Sequence, residues 1–88
     1  MVVGKCKTKV IKYEYIQWNW NMGEVVNFCQ NNTVNWREKL DGKIIIYGHY
    51  SQLNQTVCLG DYIVRDSVGN VKVYTEEEFN KLFDILED

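Results

Sequence analysis

Apolar and polar positions alternate with different periods along the chain, and the changes of period mark its elements. Val10 to Trp18 is rich in β-branched and aromatic residues and reads as a strand, with Ile16 and Trp18 on one face and Tyr13, Tyr15 and Gln17 on the other. Asn19 or Asn21 offers an N-cap, after which Met22, Val25, Val26 and Cys29 follow helical spacing, so a short helix is predicted over Met22 to Gln30. Asn31-Asn32 is expected to end it, because asparagine tolerates the left-handed conformation. Trp20 sits where a hydrophobic staple packs against the new helix, a reading we favour over a ligand platform.

Thr33 to Leu40 sets Val34, Trp36 and Leu40 against Thr33, Asn35, Arg37 and Lys39, the pattern of a half-buried strand. Asp41-Gly42 then predicts a type I′ hairpin turn into a second strand, "KIIIYG", residues 43–48. Both faces of that strand are apolar, Ile44 and Ile46 on one and Ile45 and Tyr47 on the other. It is therefore expected either in the middle of a strongly curled sheet or against another chain. A polar loop over 48–55 leads to strands at Thr56 to Cys58 and Tyr62 to Asp66, then a Ser67-Val68-Gly69-Asn70 turn and a strand Val71 to Tyr74. Thr75 and Glu78 make a capping box for a last helix whose apolar stripe is Phe79, Leu82, Phe83 and Leu86. The order predicts one α+β domain over residues 1–88: a curled antiparallel sheet of about five to six strands, one short helix after the first strand and one at the C-terminus.

Composition narrows the function more than it names it. The 88 residues are 45% hydrophobic and 14% aromatic, enough for a small core, and the net charge of −2 is too weak to imply direct nucleic-acid binding. Lysines crowd the N-terminus (Lys5, Lys7, Lys9, Lys12) and carboxylates the C-terminus, which reads as solvated faces. No apolar run reaches the length of a signal peptide or a membrane span, which gives a cytosolic expectation.

Catalytic chemistry finds little to stand on. His49 is the one histidine, which rules out a multi-histidine metal site, and Cys6, Cys29 and Cys58 are too widely spaced for a zinc cluster or a disulfide framework. They are expected as buried free thiols. A Cys58–His49 nucleophile lacks any flanking pattern, and Glu14 with Asp61 is a carboxylate pair only on paper. Asp61 is expected to hold its own turn by accepting backbone N–H groups. Isolated Gly60 and Gly69 make no phosphate loop. No catalytic residue, metal or cofactor is assigned, and the chain is read as a non-enzyme.

Three stretches, "YEYIQW", "LGDYIV" and "VYTEEEFNKLF", occur in an order that resembles a family of small bacteriophage and prophage proteins. Its members carry a V-E-A-V-Q-W strand, a short helix, P-G-D-Y-I-I, a glycine turn, an aromatic strand and a helix with a phenylalanine. Gln17-Trp18, Gly60 to Val64, Gly69, Tyr74 and Phe79 are the matching positions, whereas Leu59 stands where the family pattern has proline. The resemblance implies a phage accessory protein without enzymatic activity, in the cytoplasm of its host bacterium.

The leading expectation is a protein that binds and inhibits a bacterial host defence protein, such as a CRISPR effector. Its binding surface is placed at the aromatic and polar groups of the extended hairpin, Tyr47, His49, Tyr50 and Gln52. Two other readings stay open: a sponge that sequesters a signalling nucleotide, and a phage structural or regulatory homodimer joined through the Ile45–Tyr47 face.

Overall fold

The computed structural model of the chain describes residues 13–30, 32–48 and 53–85. Its elements are β1 (Glu14–Gln17), α1 (Met22–Phe28), β2 (Val34–Glu38), β3 (Lys43–Ile46), β4 (Gln55–Val57), β5 (Tyr62–Arg65), β6 (Val71–Tyr74) and α2 (Glu76–Leu82). The α+β class is the one predicted, with two helices in the predicted places. The single curled sheet is not what forms. The strands divide into two antiparallel three-stranded sheets, β1-β5-β6 and β2-β3-β4.

One side chain accounts for the seam between them. β4 lies beside β6, yet no backbone ladder joins the two. The turn pairs Asp66 with Asn70, and alternation along the ladder then points the N–H and C=O groups of Val71 and Val73 away from β5. Gln55 meets them: its amide donates to the Val71 carbonyl and accepts from the Val73 N–H, both at 2.9 Å. A carboxamide thus stands in for the peptide group of a neighbouring strand, and the edge of β6 is closed without a seventh strand. We expect Gln55→Ala and Gln55→Met each to destabilise the fold by about 1–2 kcal/mol, read as a shift of the urea midpoint, because both leave two backbone groups without partners. Losses below about 0.5 kcal/mol in both variants would show that the seam is held by something else.

The core draws on both sheets and α1. Trp18, Val25, Cys29, Ile44, Ile46, Val57 and Ile63 form one buried cluster. Ile44 and Ile46 point inward from β3, the middle strand of its sheet, while Ile45 on the opposite face is half-buried. α1 stops at Phe28, short of the predicted end at Gln30. Cys29 is its C-cap, and Trp20 is the one non-glycine with positive φ among the described residues, so Asn32 does not use the left-handed conformation. Asn32 instead donates its side-chain N–H to the Tyr47 carbonyl at 2.9 Å. Asn21 is the N-cap residue without a capping bond; its side chain bridges the Asn19 N–H and the Gln17 carbonyl.

α2 covers the other face of β1-β5-β6. Its capping box forms as predicted, with Thr75 and Glu78 exchanging bonds of 3.2 and 2.9 Å. Phe79 is buried and stacks on Tyr62 with ring centroids 4.1 Å apart. The predicted stripe is only half realised. The helix ends at Leu82, Phe83 is extended, and Leu82 consequently projects into solvent, while Leu86 lies outside the described residues. No described helix is long and apolar enough to cross a membrane.

The β5–β6 turn is built on Asp66, whose Oδ1 accepts from the N–H groups of Val68, Gly69 and Asn70, each at 2.9 Å. Those bonds favour the carboxylate and hold its pKa below the usual value. The capping bonds to Thr75 do the same for Glu78. A depressed folded-state pKa gives stability that is present above the unfolded carboxylate value of about 4 and is lost as pH falls through the folded one. Urea midpoints measured from pH 7 to pH 2 should therefore decline on the acid side, and the decline should be shallower in Asp66→Asn. An identical acid limb in that variant would remove Asp66 from the account.

A candidate interaction surface around three tryptophans

β1 runs directly into the first tryptophan. Trp18 is fully buried, its backbone N–H donates to the Asp61 carbonyl, and its indole N–H donates to the Gly42 carbonyl at 2.5 Å. Trp36, on β2, meets it edge to face with centroids 5.5 Å apart. Trp20 completes the group, 6.3 Å from Trp18 and 6.0 Å from Trp36.

Trp20, assigned from the sequence to packing against α1, meets Trp18 and Trp36. It turns toward the other two rings because its backbone is left-handed, at φ 73. A bulky L-residue in that region is held at a cost of roughly 1–2 kcal/mol. Asparagines flank it on both sides and would suit the conformation better.

The hairpin beneath differs from prediction as well. A type I′ turn needs positive φ at both central residues, and here only Gly42 has it. Lys39–Asp41 form a short 3-10 helix instead, after a register shift between Trp36 and Glu38. Gly42 is buried where Leu59 and Trp20 close over it: a Cβ there would stand 2.8 Å from Leu59 Cγ and Cδ1 and 2.9 Å from Trp20 Cη2. Gly42→Ala is expected to cost about 1–3 kcal/mol, from backbone strain and overpacking together, and to change tryptophan fluorescence. A wild-type urea midpoint would mean that Leu59 moves aside freely.

The outcome is an apolar surface on a rigid base. Trp20 is 53% exposed, Leu59 42% and Leu40, in the 3-10 helix, 97%. Lys39 places its ammonium 5.9 Å from the Trp36 ring, and Asn19 and Asn21 lie beside Trp20 in the chain. A half-exposed tryptophan, fixed in place and bordered by polar groups, is the anatomy of a protein-binding hot spot.

Of the residues that the sequence put forward for binding, Tyr47 is 39% exposed just beyond β3, with its N–H donating to the Thr33 carbonyl at 2.8 Å. His49, Tyr50 and Gln52 lie outside the described residues. From the sequence, Trp20 is assigned to packing and Gly42 to a turn, and Leu59 has no role beyond its departure from the family pattern. An apolar leucine ahead of a Gly-Asp turn was the signal available.

Groups weighed for chemistry have structural partners. Asp61 holds its turn as expected, accepting from the Cys58 N–H at 2.9 Å. Glu14 pairs with Arg65 at 2.6 Å, and the same guanidinium donates to the Phe28 carbonyl at 2.8 Å, closing the end of α1. Cys29 is a free thiol whose burial pushes its pKa up to about 11, with Arg65 opposing; such a thiol is a poor nucleophile at neutral pH. Cys58 is free but exposed, contrary to the expectation of burial, because it follows the last residue of β4; Cys6 lies outside the described residues. No three His, Cys, Asp or Glu side chains group closely enough to hold a metal ion among the described residues.

A concavity of about 620 Å³ lies on the α2 side of β1-β5-β6, bounded by Tyr13, Val64, Lys72, Tyr74 and the turn at Asp66. Compared with models of protein families, with curated proteins and with solved structures, the chain finds no match.

Proposed function

We propose that this is a phage-encoded, non-enzymatic protein that binds and inhibits a bacterial host defence protein, in the manner of an anti-CRISPR inhibitor. The phage setting rests on the resemblance carried by Gln17-Trp18, Gly60-Asp61-Tyr62 and Phe79. One observation carries the mode of action: a half-exposed Trp20 kept in a left-handed conformation beside exposed Leu59. Strain retained at an exposed aromatic suits recognition better than folding, since glycine or asparagine would make the same turn at lower cost. Leu59, where the family that the chain resembles carries proline, belongs to the same surface, so the departure from that pattern falls where a specific target would be read.

The partner in this reading is a different protein; a dimer in light scattering that Ile45→Asp dissociates would favour a second copy instead. At ~200 Å² for a large side chain, the exposed parts of Trp20, Leu40 and Leu59 amount to roughly a few hundred Å². A stable interface takes about 800 Å² from each side. The remainder comes from the polar surroundings, with the Tyr47 side as a second zone. A nucleotide sponge is the weaker alternative, because the concavity beside α2 sets a single lysine against Asp66.

The test is a plaque assay. Bacteria carrying individual CRISPR or other defence systems express the chain and are challenged with a phage that each system restricts. Restored plaquing against at least one system supports the proposal. Full restriction throughout a panel that includes the main CRISPR effector types, with the chain expressed and folded, overturns it.

A further inference from the structure

The concavity beside α2 has a polar character that only a donor and acceptor inventory reveals. Val64, almost fully buried, forms its floor. Tyr13 and Tyr74 form its walls, each meeting Phe83 edge to face, at 5.4 and 5.2 Å. Four polar side chains border it, but they are not equally available. Gln55 has both ends of its amide bonded to β6. Asp66 is taken up by three N–H groups of its own turn, and Asn70 is engaged in contacts at that turn too. Lys72 has no ion pair among the described residues; its ammonium lies 5.3 Å from the Tyr74 centroid, and it acts on the Glu78 carboxylate only through its charge.

The groups lining the space that are not already used are an ammonium, which only donates, and two phenols, which donate and accept. The ammonium calls for an acceptor, and Val64 and the tyrosine rings suit an apolar or aromatic body. A volume of about 620 Å³ is in the range of small-molecule sites. Charge limits the ligand further. One ammonium balances one negative charge, and the Asp66 carboxylate, kept ionised by its turn, opposes more. Di- and triphosphates are thus disfavoured.

We propose that this open concavity binds a small amphipathic monoanion, an aryl or alkyl carboxylate, with Lys72 pairing the carboxylate and Tyr13 and Tyr74 flanking the apolar body. The site is separate from the tryptophan surface, and its test does not depend on the inhibitor reading.

Titration of the full chain with 3-phenylpropionate, followed by amide shifts in two-dimensional NMR, is the test. Saturable shifts centred on Val64, Lys72 and Tyr74 with a Kd below about 1 mM are expected. Lys72→Met, a change at an exposed position, should weaken binding at least tenfold, as should replacing the ligand by the neutral 3-phenylpropionamide. Absence of saturation at about 10 mM, equal binding of the amide, unchanged affinity in Lys72→Met, or shifts centred on Trp20 would each overturn the assignment.

Discussion

Trp18→Ala is expected to remove about 3–5 kcal/mol of stability, a large part of the roughly 5–13 kcal/mol that a domain of this length has in total. Two losses combine at this position. The ring fills the junction between β1, α1 and β3 with no exposure to solvent, so its removal leaves a cavity that rigid neighbours cannot close. Its indole N–H also satisfies the Gly42 carbonyl, a buried acceptor in the hairpin that supports Trp20. Trp18→Phe separates the two: most of the volume is kept, the donor is lost, and a smaller cost of about 1–3 kcal/mol should follow. Urea unfolding followed by far-UV circular dichroism measures both. A Trp18→Ala protein within about 1 kcal/mol of wild type would show that the tryptophan is not the centre of the core.

The second large effect is on binding rather than folding. Trp20→Ala is expected to weaken affinity for the proposed defence target by about 2 kcal/mol or more, roughly thirtyfold. Trp20→Gly sharpens the test, because glycine takes φ 73 without strain. The relief of backbone strain offsets the lost ring contacts with Trp36, and the variant should unfold within about 1 kcal/mol of wild type. A protein that is as stable as wild type but no longer restores plaquing separates recognition from folding. Unchanged plaquing in both variants would move the binding surface away from Trp20, with Tyr47 next to be replaced.

What the sequence made legible was local. The capping box of Thr75 and Glu78, the turn held by Asp61, the strand Val71–Tyr74 and the inward face of Ile44 and Ile46 each depend on residues within a few positions of one another. Contacts between distant segments decided the rest. Whether β4 would pair with β6 depended on the Gln55 amide, sixteen residues from Val71, reaching the edge first. The Asp41-Gly42 pair carries the letters of a type I′ turn, but the shifted register after Trp36 leaves only Gly42 left-handed, and the approach of Leu59 makes glycine necessary there. The apolar stripe of the last helix was correct in spacing and wrong in length, since periodicity does not tell where Leu82 ends the helix. At Trp20 the residue type hid its backbone, because tryptophan is a poor guide to a positive φ. Of the binding residues named from the sequence, Tyr47 alone lies among the described residues, so the site rests on a contact pattern that no spacing announces.

The central claim, inhibition by binding without turnover, is tested most directly by stoichiometry. The defence effector identified by plaquing is held at a fixed concentration well above the Kd, and its nuclease activity is measured as the purified chain is added. The account predicts a linear fall to an end point at about one chain per binding site on the effector, reached quickly and unchanged on longer incubation. Complete inhibition at a small fraction of that ratio, deepening with time, would show that the chain modifies its target catalytically and would contradict the account.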